Sequence, residues 1–510
     1  MNIKTIGIIG AGAMGGGIAQ IAAQSGLEVL LFDVNTQAAA GARIKLEQVW
    51  DKLVAKGKIS AELAKAALGR VQVCEALEAM SAAQLVIEAV VEQLEVKRAL
   101  FKQLEGIVSP ECLLASNTSS LSITAIAQAC ERPGRVVGFH FFNPVPLMKV
   151  VEVIDGLRTD PQAGDALVAV ARHMGHTPVR AKDMPGFIVN HAGRGMNVEG
   201  LRVAQETVAP FYQIDAIMRE QAGFRMGPFE LLDLTGLDVS HPVMESIYQQ
   251  FYHEPRFRPS PITAVRYAGQ LLGRKTKEGF YPYPDANKTL PIEPGVPAMP
   301  ADLKVWLAPY HSVGHKRAAA LLKELGVNII ASPTPPADAL IVITPYGEDA
   351  SCVVGAHTLD GQRTVALDTF FGLEQGKRRV LMCSPATQPA WRDAAHALFA
   401  SDNTPVSVIN DSAGFVAQRI VATIINVASD IAQQNIATPV DIDLAVSLGL
   451  GYPQGGPLSL GDALGGAHVL EILRAMYRVT GDMRYRPSPW LQRRVQLGMS
   501  LRAEAACAAS

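Results

Sequence analysis

The sequence predicts an α/β protein: a Rossmann-type, doubly wound parallel sheet domain, an all-helical domain, a degenerate α/β domain and a second copy of the helical domain. Three observations predict this. Short apolar runs alternate with helical patterns through the first part of the chain, the signature of a parallel sheet covered on both faces. Strand signals then stop after Asp183-Met184-Pro185-Gly186. Finally, the helical region recurs. Thr177-Pro178-Val179 returns as Thr404-Pro405-Val406, Gly186-Phe187 as Gly414-Phe415, Asp215 as Asp443, Gly227-Pro228 as Gly456-Pro457, Asp233 as Asp462, and RFRPSP at 256–261 as RYRPSP at 484–489. The offset runs only from 227 (177 to 404) to 229 (233 to 462), a regularity that marks an internal duplication.

In chain order, residues 4–9 form a short apolar run that stops at Gly10, as a buried parallel strand does. Gly10-Ala11-Gly12-Ala13-Met14-Gly15 follows and opens a helix that Gly26 ends; residues 28–32 are a second strand closing on Asp33. Residues 36–68 read as a helical hairpin broken at Lys56-Gly57-Lys58, and strands are predicted at 70–74, 84–90, 112–115, 135–139 and 149–154. Residues 187–280 read as helices only, and the proline-rich stretch after 280 as a linker. Within 304–403 the runs VNIIAS, ALIVIT, RTVALD and RRVLMC read as strands of a second α/β domain that lacks the glycine turn. The predicted domains are 1–184, 185–282, a linker at 283–303, 304–410 and 411–500.

Composition removes several classes of function. With 48% hydrophobic and 18% charged residues, the 510-residue chain is an ordinary globular protein, too apolar for disorder. A formal charge of −2, with no basic run, gives no electrostatic support for nucleic-acid or anionic-membrane binding. No apolar run is long enough to span a bilayer. The basic and apolar start around Lys4 has the outline of a secretion signal, but five glycines between 10 and 17 fit a phosphate-binding turn better. Cys74, Cys112, Cys130, Cys352, Cys383 and Cys507 make no CxxC and no metal-ligand spacing, so neither a metal nor a disulfide scaffold is expected and a cytoplasmic location fits.

Three constellations carry chemistry. In GxGxxG the first glycine makes the turn, the second admits a pyrophosphate and the third packs helix on strand; Gly10, Gly12 and Gly15 stand in these places. Asp33 at the end of the second strand can accept from the adenosine ribose hydroxyls and would repel a 2′-phosphate, which favours NAD over NADP. Second, in FHFFNPVPLMKVVEV His140 ends one strand and Glu152 lies in the next, so a carboxylate can orient an imidazole that takes a hydroxyl proton. Third, Ser116-Asn117-Thr118-Ser119-Ser120 follows a strand; it reads either as a polar turn and helix cap or as donors beside a reacting oxygen, with Asn190 a further polar contact.

Together, Gly10–Gly15 with Asp33, VIEAVVEQLEVK at 86–97, SNTSSL at 116–121, HFFNPV at 140–145, DMPGFIVN at 183–190 and GRKTKEGFY at 273–281 resemble the L-3-hydroxyacyl-CoA dehydrogenase family. The two-part plan resembles its longer members, which handle 3-hydroxyadipyl-CoA or 3-hydroxybutyryl-CoA in bacterial phenylacetate breakdown. The resemblance implies that His140 is the catalytic base and Glu152 its partner acid. It implies further that Asn190 and Ser119 hold the substrate oxygen and the nicotinamide region. By the same likeness Glu92, Lys97, Asn143 and Lys275 match NAD contacts, with Asp33 on the ribose, and Lys56 matches a coenzyme A contact. Lys277 departs from the family's usual glycine, which puts that local turn in question. The second half departs further: Gln418 stands where the repeat predicts Asn, and neither HFFNP nor a glycine turn occurs after 282, so one active site per chain is expected.

The expected reaction is reversible, NAD-dependent oxidation of an L-3-hydroxyacyl-CoA to the 3-ketoacyl-CoA. A dehydrogenase of a small free β-hydroxy acid and a non-catalytic NAD-binding protein are the rivals. The helical copies are expected to pack as an internal pseudo-dimer, with homo-oligomer formation left open.

Overall fold

The structure, a computed structural model, describes residues 3–285 and 287–504; Cys507 lies outside them. The first sheet contains β1 (Thr5–Ile9), β2 (Glu28–Phe32), β3 (Val71–Cys74), β4 (Leu85–Glu88), β5 (Leu113–Ser116), β6 (Val136–Phe141), β7 (Val150–Asp155) and β8 (Thr177–Lys182). Their order is β3-β2-β1-β4-β5-β6-β7-β8. Helices α1 (Ala13–Gln24), α2 (Thr36–Ala55), α3 (Ala61–Gly69), α4 (Leu94–Glu105), α5 (Ile123–Ala127) and α6 (Pro161–His173) connect them. The wholly parallel sheet expected from the alternation is corrected in one place: β6 and β7 are antiparallel, with His140 opposite Glu152. Residues 142–149 are too short a link for the helical crossover that a parallel pair needs, so the chain doubles back. Strand β8 gave no signal because Pro178 interrupts it, which an edge strand tolerates.

Burial explains why the strands read as continuous apolar runs. Ile6, Ile8, Val29, Leu31, Ile87, Phe139 and Val153 are all fully covered in one core with Trp50 of the helical hairpin.

Next come α7 (Val189–Gln205), α8 (Phe211–Glu220), α9 (Pro228–Thr235), α10 (Leu237–Gln250) and α11 (Pro261–Ala268). The second sheet has order β13-β12-β11-β10-β9 and is built from β9 (Lys304–Leu307), β10 (Ala339–Ile343), β11 (Thr364–Leu367), β12 (Arg379–Cys383) and β13 (Val406–Asn410). It carries α12 (Ser312–Glu324), α13 (Ala350–His357) and α14 (Pro389–Phe399). The run VNIIAS is a second correction. Apart from one bridge between Ile329 and Val305 it forms no strand, since Pro333, Pro335 and Pro336 end it at once. The repeated helical region supplies α15 (Val416–Gln433), α16 (Pro439–Leu450), α17 (Pro457–Leu464), α18 (Gly466–Thr480) and α19 (Pro489–Gln496).

The chain forms two compact units, Met1–His191 with Gln434–Leu450, and Ala192–Gln433 with Gly451–Ser510. The helical repeat is therefore split. In the first unit α16 packs on β7 and β8, and Lys182 N–H donates to Ile436 O at 2.8 Å. In the second unit the matching bond runs from Asn410 N–H to Val208 O at 2.9 Å, and Glu220 at the end of α8 pairs with Arg378 at 2.8 Å. Among the described residues no helix is long and apolar enough to cross a membrane, and no cluster of His, Cys, Asp and Glu fits a metal ion.

Candidate active site

His140 and Glu152 meet because the antiparallel register sets them face to face on β6 and β7. Glu152 Oε2 lies 2.6 Å from His140 Nδ1, and both side chains are buried. The other carboxylate oxygen, Oε1, accepts the backbone N–H groups of Ile188 and Val189, both at 2.9 Å, at the start of α7. That end of the helix is electropositive and stabilises the anion. The paired carboxylate fixes the imidazole tautomer with its proton on Nδ1 and leaves Nε2 as the acceptor. Nε2 makes no hydrogen bond among the described residues. Phe142 packs against the ring, with centroids 4.4 Å apart.

The polar turn after β5 is tied down from two sides. Glu92 Oε1 accepts from Thr118 Oγ1 at 2.7 Å, Ser119 N–H at 2.9 Å and Ser120 N–H at 3.1 Å. Asn117 Oδ1 accepts Phe141 N–H at 2.8 Å, which links this turn to the strand end that carries His140. Burial pushes the Glu92 carboxyl up, but the Lys97 ammonium and the Thr118, Ser119 and Ser120 donors outweigh it and hold it below the usual carboxylate range. Asn190 Nδ2 reaches Ser119 O at 3.4 Å, so these two expected site residues are neighbours.

Lys97 is only 1% exposed; its ammonium pairs with Glu88 at 2.8 Å and Glu92 at 3.3 Å. It therefore supports the turn through Glu92 from inside the fold. Glu88 was not singled out from the sequence. It also accepts from the Ser116 hydroxyl, and removing either charge of such a buried pair typically costs about 3–5 kcal/mol. The signal was present as an acid inside the apolar run QLVIEAV.

The glycine turn has the form a dinucleotide needs. Gly10 has φ +100°, and an added Cβ would lie 2.5 Å from Ala89 O, so only glycine fits. Helix α1 starts at Gly12 with no side-chain cap, which leaves first-turn N–H groups for a pyrophosphate. Asp33 Oδ2 accepts Ala11 N–H at 2.7 Å and Oδ1 accepts Asn35 N–H at 2.9 Å; each oxygen keeps further lone pairs for ribose hydroxyls. Asn143 is exposed on the loop after β6, and Lys56 is exposed at the end of α2. In the second unit, Lys275 pairs with Asp238 at 2.7 Å. Lys277 sits at φ +63°, the left-handed conformation that explains why a glycine would be easier there.

A family profile described as 3-hydroxyacyl-CoA dehydrogenase, NAD binding domain, matches residues 5–184, and one described as its C-terminal domain matches 186–283 and again 414–506. The chain belongs to the 3-hydroxyacyl-CoA dehydrogenase family. It is an NAD-dependent oxidoreductase. The 3-hydroxyadipyl-CoA dehydrogenase of Escherichia coli K12 is 36% identical to it over 499 residues, 98% of each chain. The human mitochondrial hydroxyacyl-coenzyme A dehydrogenase is 39% identical over 287 residues, 55% of this chain and 91% of its own. A crystal structure of 3-hydroxybutyryl-CoA dehydrogenase from E. coli K12 superposes with a TM-score of 0.85 at 35% identity, covering 98% of this chain and 99% of that one.

The dehydrogenase carries a second sheet edge without this equipment. The β11–β12 register puts Ala366 opposite Met382, so two residues further Asp368 falls opposite Val380, where the first sheet has Gly138 opposite Ile154 and His140 opposite Glu152. Asp368-Thr369-Phe370 stands for His140-Phe141-Phe142. Arg379 is buried and bound to Asp402 at 2.8 Å. After β9 the chain reads Ala308-Pro309-Tyr310-His311, and His311 Nδ1 caps α12 by accepting Gly314 N–H at 2.9 Å. The Tyr310 ring stacks on His357 at 3.5 Å.

Proposed function

We propose that the chain oxidises the 3-hydroxyl of an L-3-hydroxyacyl-CoA in the class of 3-hydroxyadipyl-CoA and 3-hydroxybutyryl-CoA, with His140 as the base. The observation that carries this is the His140–Glu152 pair. One imidazole nitrogen is bound at 2.6 Å to a buried carboxylate, and the other is left to act on substrate. His140 Nε2 takes the hydroxyl proton, and Glu152, held by two backbone amides, balances the positive charge the ring then bears. Ser119 and Asn190 orient the substrate oxygen. NAD, when bound, supplies the hydride acceptor. Gly10, Gly12 and Gly15 leave room for its pyrophosphate, Asp33 takes the ribose, and Glu92, Asn143 and Lys275 are further NAD contacts, with Lys97 acting behind Glu92. Lys56 meets the coenzyme A moiety. Five free cysteines among the described residues fit a reducing, cytoplasmic setting.

We also infer that the two helical copies act as an internal pseudo-dimer. In the second unit, the buried Glu199 of α7 binds Arg419 of α15 at 2.8 Å together with the Tyr485 hydroxyl at 2.8 Å, and Phe224 meets its repeat counterpart Tyr452 edge to face, with ring centroids 5.0 Å apart.

The decisive experiment measures NADH formation at 340 nm with 3-hydroxyadipyl-CoA, 3-hydroxybutyryl-CoA and free 3-hydroxybutyrate. Turnover on the thioesters and none on the free acid is expected. Turnover on the free acid alone would replace this reading with a small β-hydroxy-acid dehydrogenase.

A further inference from the structure

The exchanged helices α8 and α16 occupy corresponding places in the two halves, yet differ at one position. Between the matched pairs Asp215/Asp443 and Gly223/Gly451, Gln221 corresponds to Gly449. In the second unit Gln221 Nε2 donates to Asp368 Oδ2 at 3.1 Å, and Asp368 is the counterpart of His140 by strand register. A side chain at this helix position therefore reaches the strand end where the chemistry would sit. In the first unit the position is Gly449, and it faces Val189: an added Cβ would lie 3.1 and 3.2 Å from the Val189 methyl carbons and 3.6 Å from Val150 Cγ1. Val189 is the first residue of α7, and its N–H, with that of Ile188, holds Glu152 Oε1.

We propose that Gly449, contributed by the second half of the chain, is a positioning residue for the Glu152–His140 pair. Its missing side chain lets the first turn of α7 lie close enough to β7 for two backbone amides to hold Glu152. A larger residue meets the Val189 methyls and moves that turn away from the carboxylate. The active half thus depends on a helix encoded over 200 residues downstream of Val189, since 189 to 449 spans the linker and the whole degenerate domain. This inference rests on the reading of His140 as the base.

The test uses full-length Gly449→Gln and Gly449→Ala, with steady-state kinetics and NADH affinity by fluorescence titration. Gly449→Gln installs the side chain of the degenerate half. It is expected to lower kcat about ten- to a hundred-fold, the scale of a small misplacement of catalytic groups. KM and the NADH Kd stay within about two-fold, because only an interaction made in the transition state is lost. Gly449→Ala shifts kcat the same way by less, although alanine is the better helix former. Adding Val189→Ala to it removes the colliding methyls and restores kcat. A parental kcat in Gly449→Gln, a loss that follows NADH affinity, or an Ala defect that Val189→Ala leaves in place would overturn the proposal. If Gly449→Gln fails to fold, the Ala pair decides. His140→Gln assayed alongside separates the two readings: retained turnover there dismisses the base assignment, whatever Gly449 does.

Discussion

The two α/β halves share a strand-end framework of five strands and differ in the strands and side chains around it. In both, an acid closes the start of the helix after the polar turn. Asp183 accepts Ile123 N–H at 3.0 Å and Thr124 N–H at 2.7 Å, and Asp411 accepts Ala350 N–H at 2.7 Å and Ser351 N–H at 3.2 Å. In both, an antiparallel strand pair presents an aromatic-rich edge. What differs is that β1–β3, with the Gly10-Ala11-Gly12 turn, have no counterpart in the second sheet, where β9 borders β10 as β4 borders β5, and that Asp368 with Val380 stands in the place of His140 with Glu152. Apolar alternation and capping acids suffice for the strand-end framework; the charged pair is lost within it, whereas the dinucleotide turn is lost together with the strands that flank it.

The largest effect separates His140 from the second sheet edge. His140→Gln should lower kcat by about 10²–10⁴, the usual worth of a general base, while NADH still binds. Thr369→Val should leave turnover at its parental level. The Thr369 hydroxyl is buried and has no hydrogen-bond partner among the described residues, so replacing it with a methyl group should hold or raise thermal stability. Thermal melting and the 340 nm assay together check both variants. A Thr369→Val enzyme with impaired turnover would mean that the second sheet edge takes part in catalysis.

A smaller contrast lies in the turns. Gly10→Ala forces a Cβ against Ala89 O at a positive φ, a strain of about 1–3 kcal/mol, so NADH affinity should fall by about ten-fold or more. Gly314→Ala meets Thr344 Oγ1 at 2.5 Å and His311 Nδ1 at 2.8 Å; it should cost about 1–3 kcal/mol of stability and leave NADH affinity alone. Fluorescence titration of both variants tests this. A loss of affinity in Gly314→Ala would show that the second turn is not closed by its histidine cap.

Much of the active half was legible because its signals are local. The strand ending at Gly10, the acid at Asp33 and the helix between them lie within one short stretch, and 3.6- and 2-residue periods report them directly. The His140–Glu152 pair was found by proximity in sequence, but its register needed the reversal of β7, which a parallel reading hides. Lys97 illustrates the reverse: spacing brought it to the site, while burial shows that it works through Glu92. The exchange of α8 and α16 left no local trace, since a repeat shows which segments match and not which sheet each covers. Yet the same repeat contained an unused clue. An offset of 228 carries His140 to Asp368, the acid that follows a second apolar run.

The smallest expected effect concerns Asp368, the carboxyl that the degenerate half buries beside its strand end. It accepts Phe370 N–H at 3.0 Å, Gln418 Nε2 at 2.8 Å and Gln221 Nε2 at 3.1 Å. Burial pushes it up to about 6, against these donors and the Arg317 charge. The folded state therefore keeps this proton to higher pH than the unfolded chain, whose aspartates titrate near about 3.9. The stability it contributes is present below about pH 4 and is lost as pH rises through about 6, on the order of 2–3 kcal/mol. Asp368→Asn cannot titrate, so its melting temperature should fall less than the parent's between pH 4 and 6.5, by several degrees. Parallel curves for the two proteins would mean that Asp368 titrates as an ordinary carboxyl.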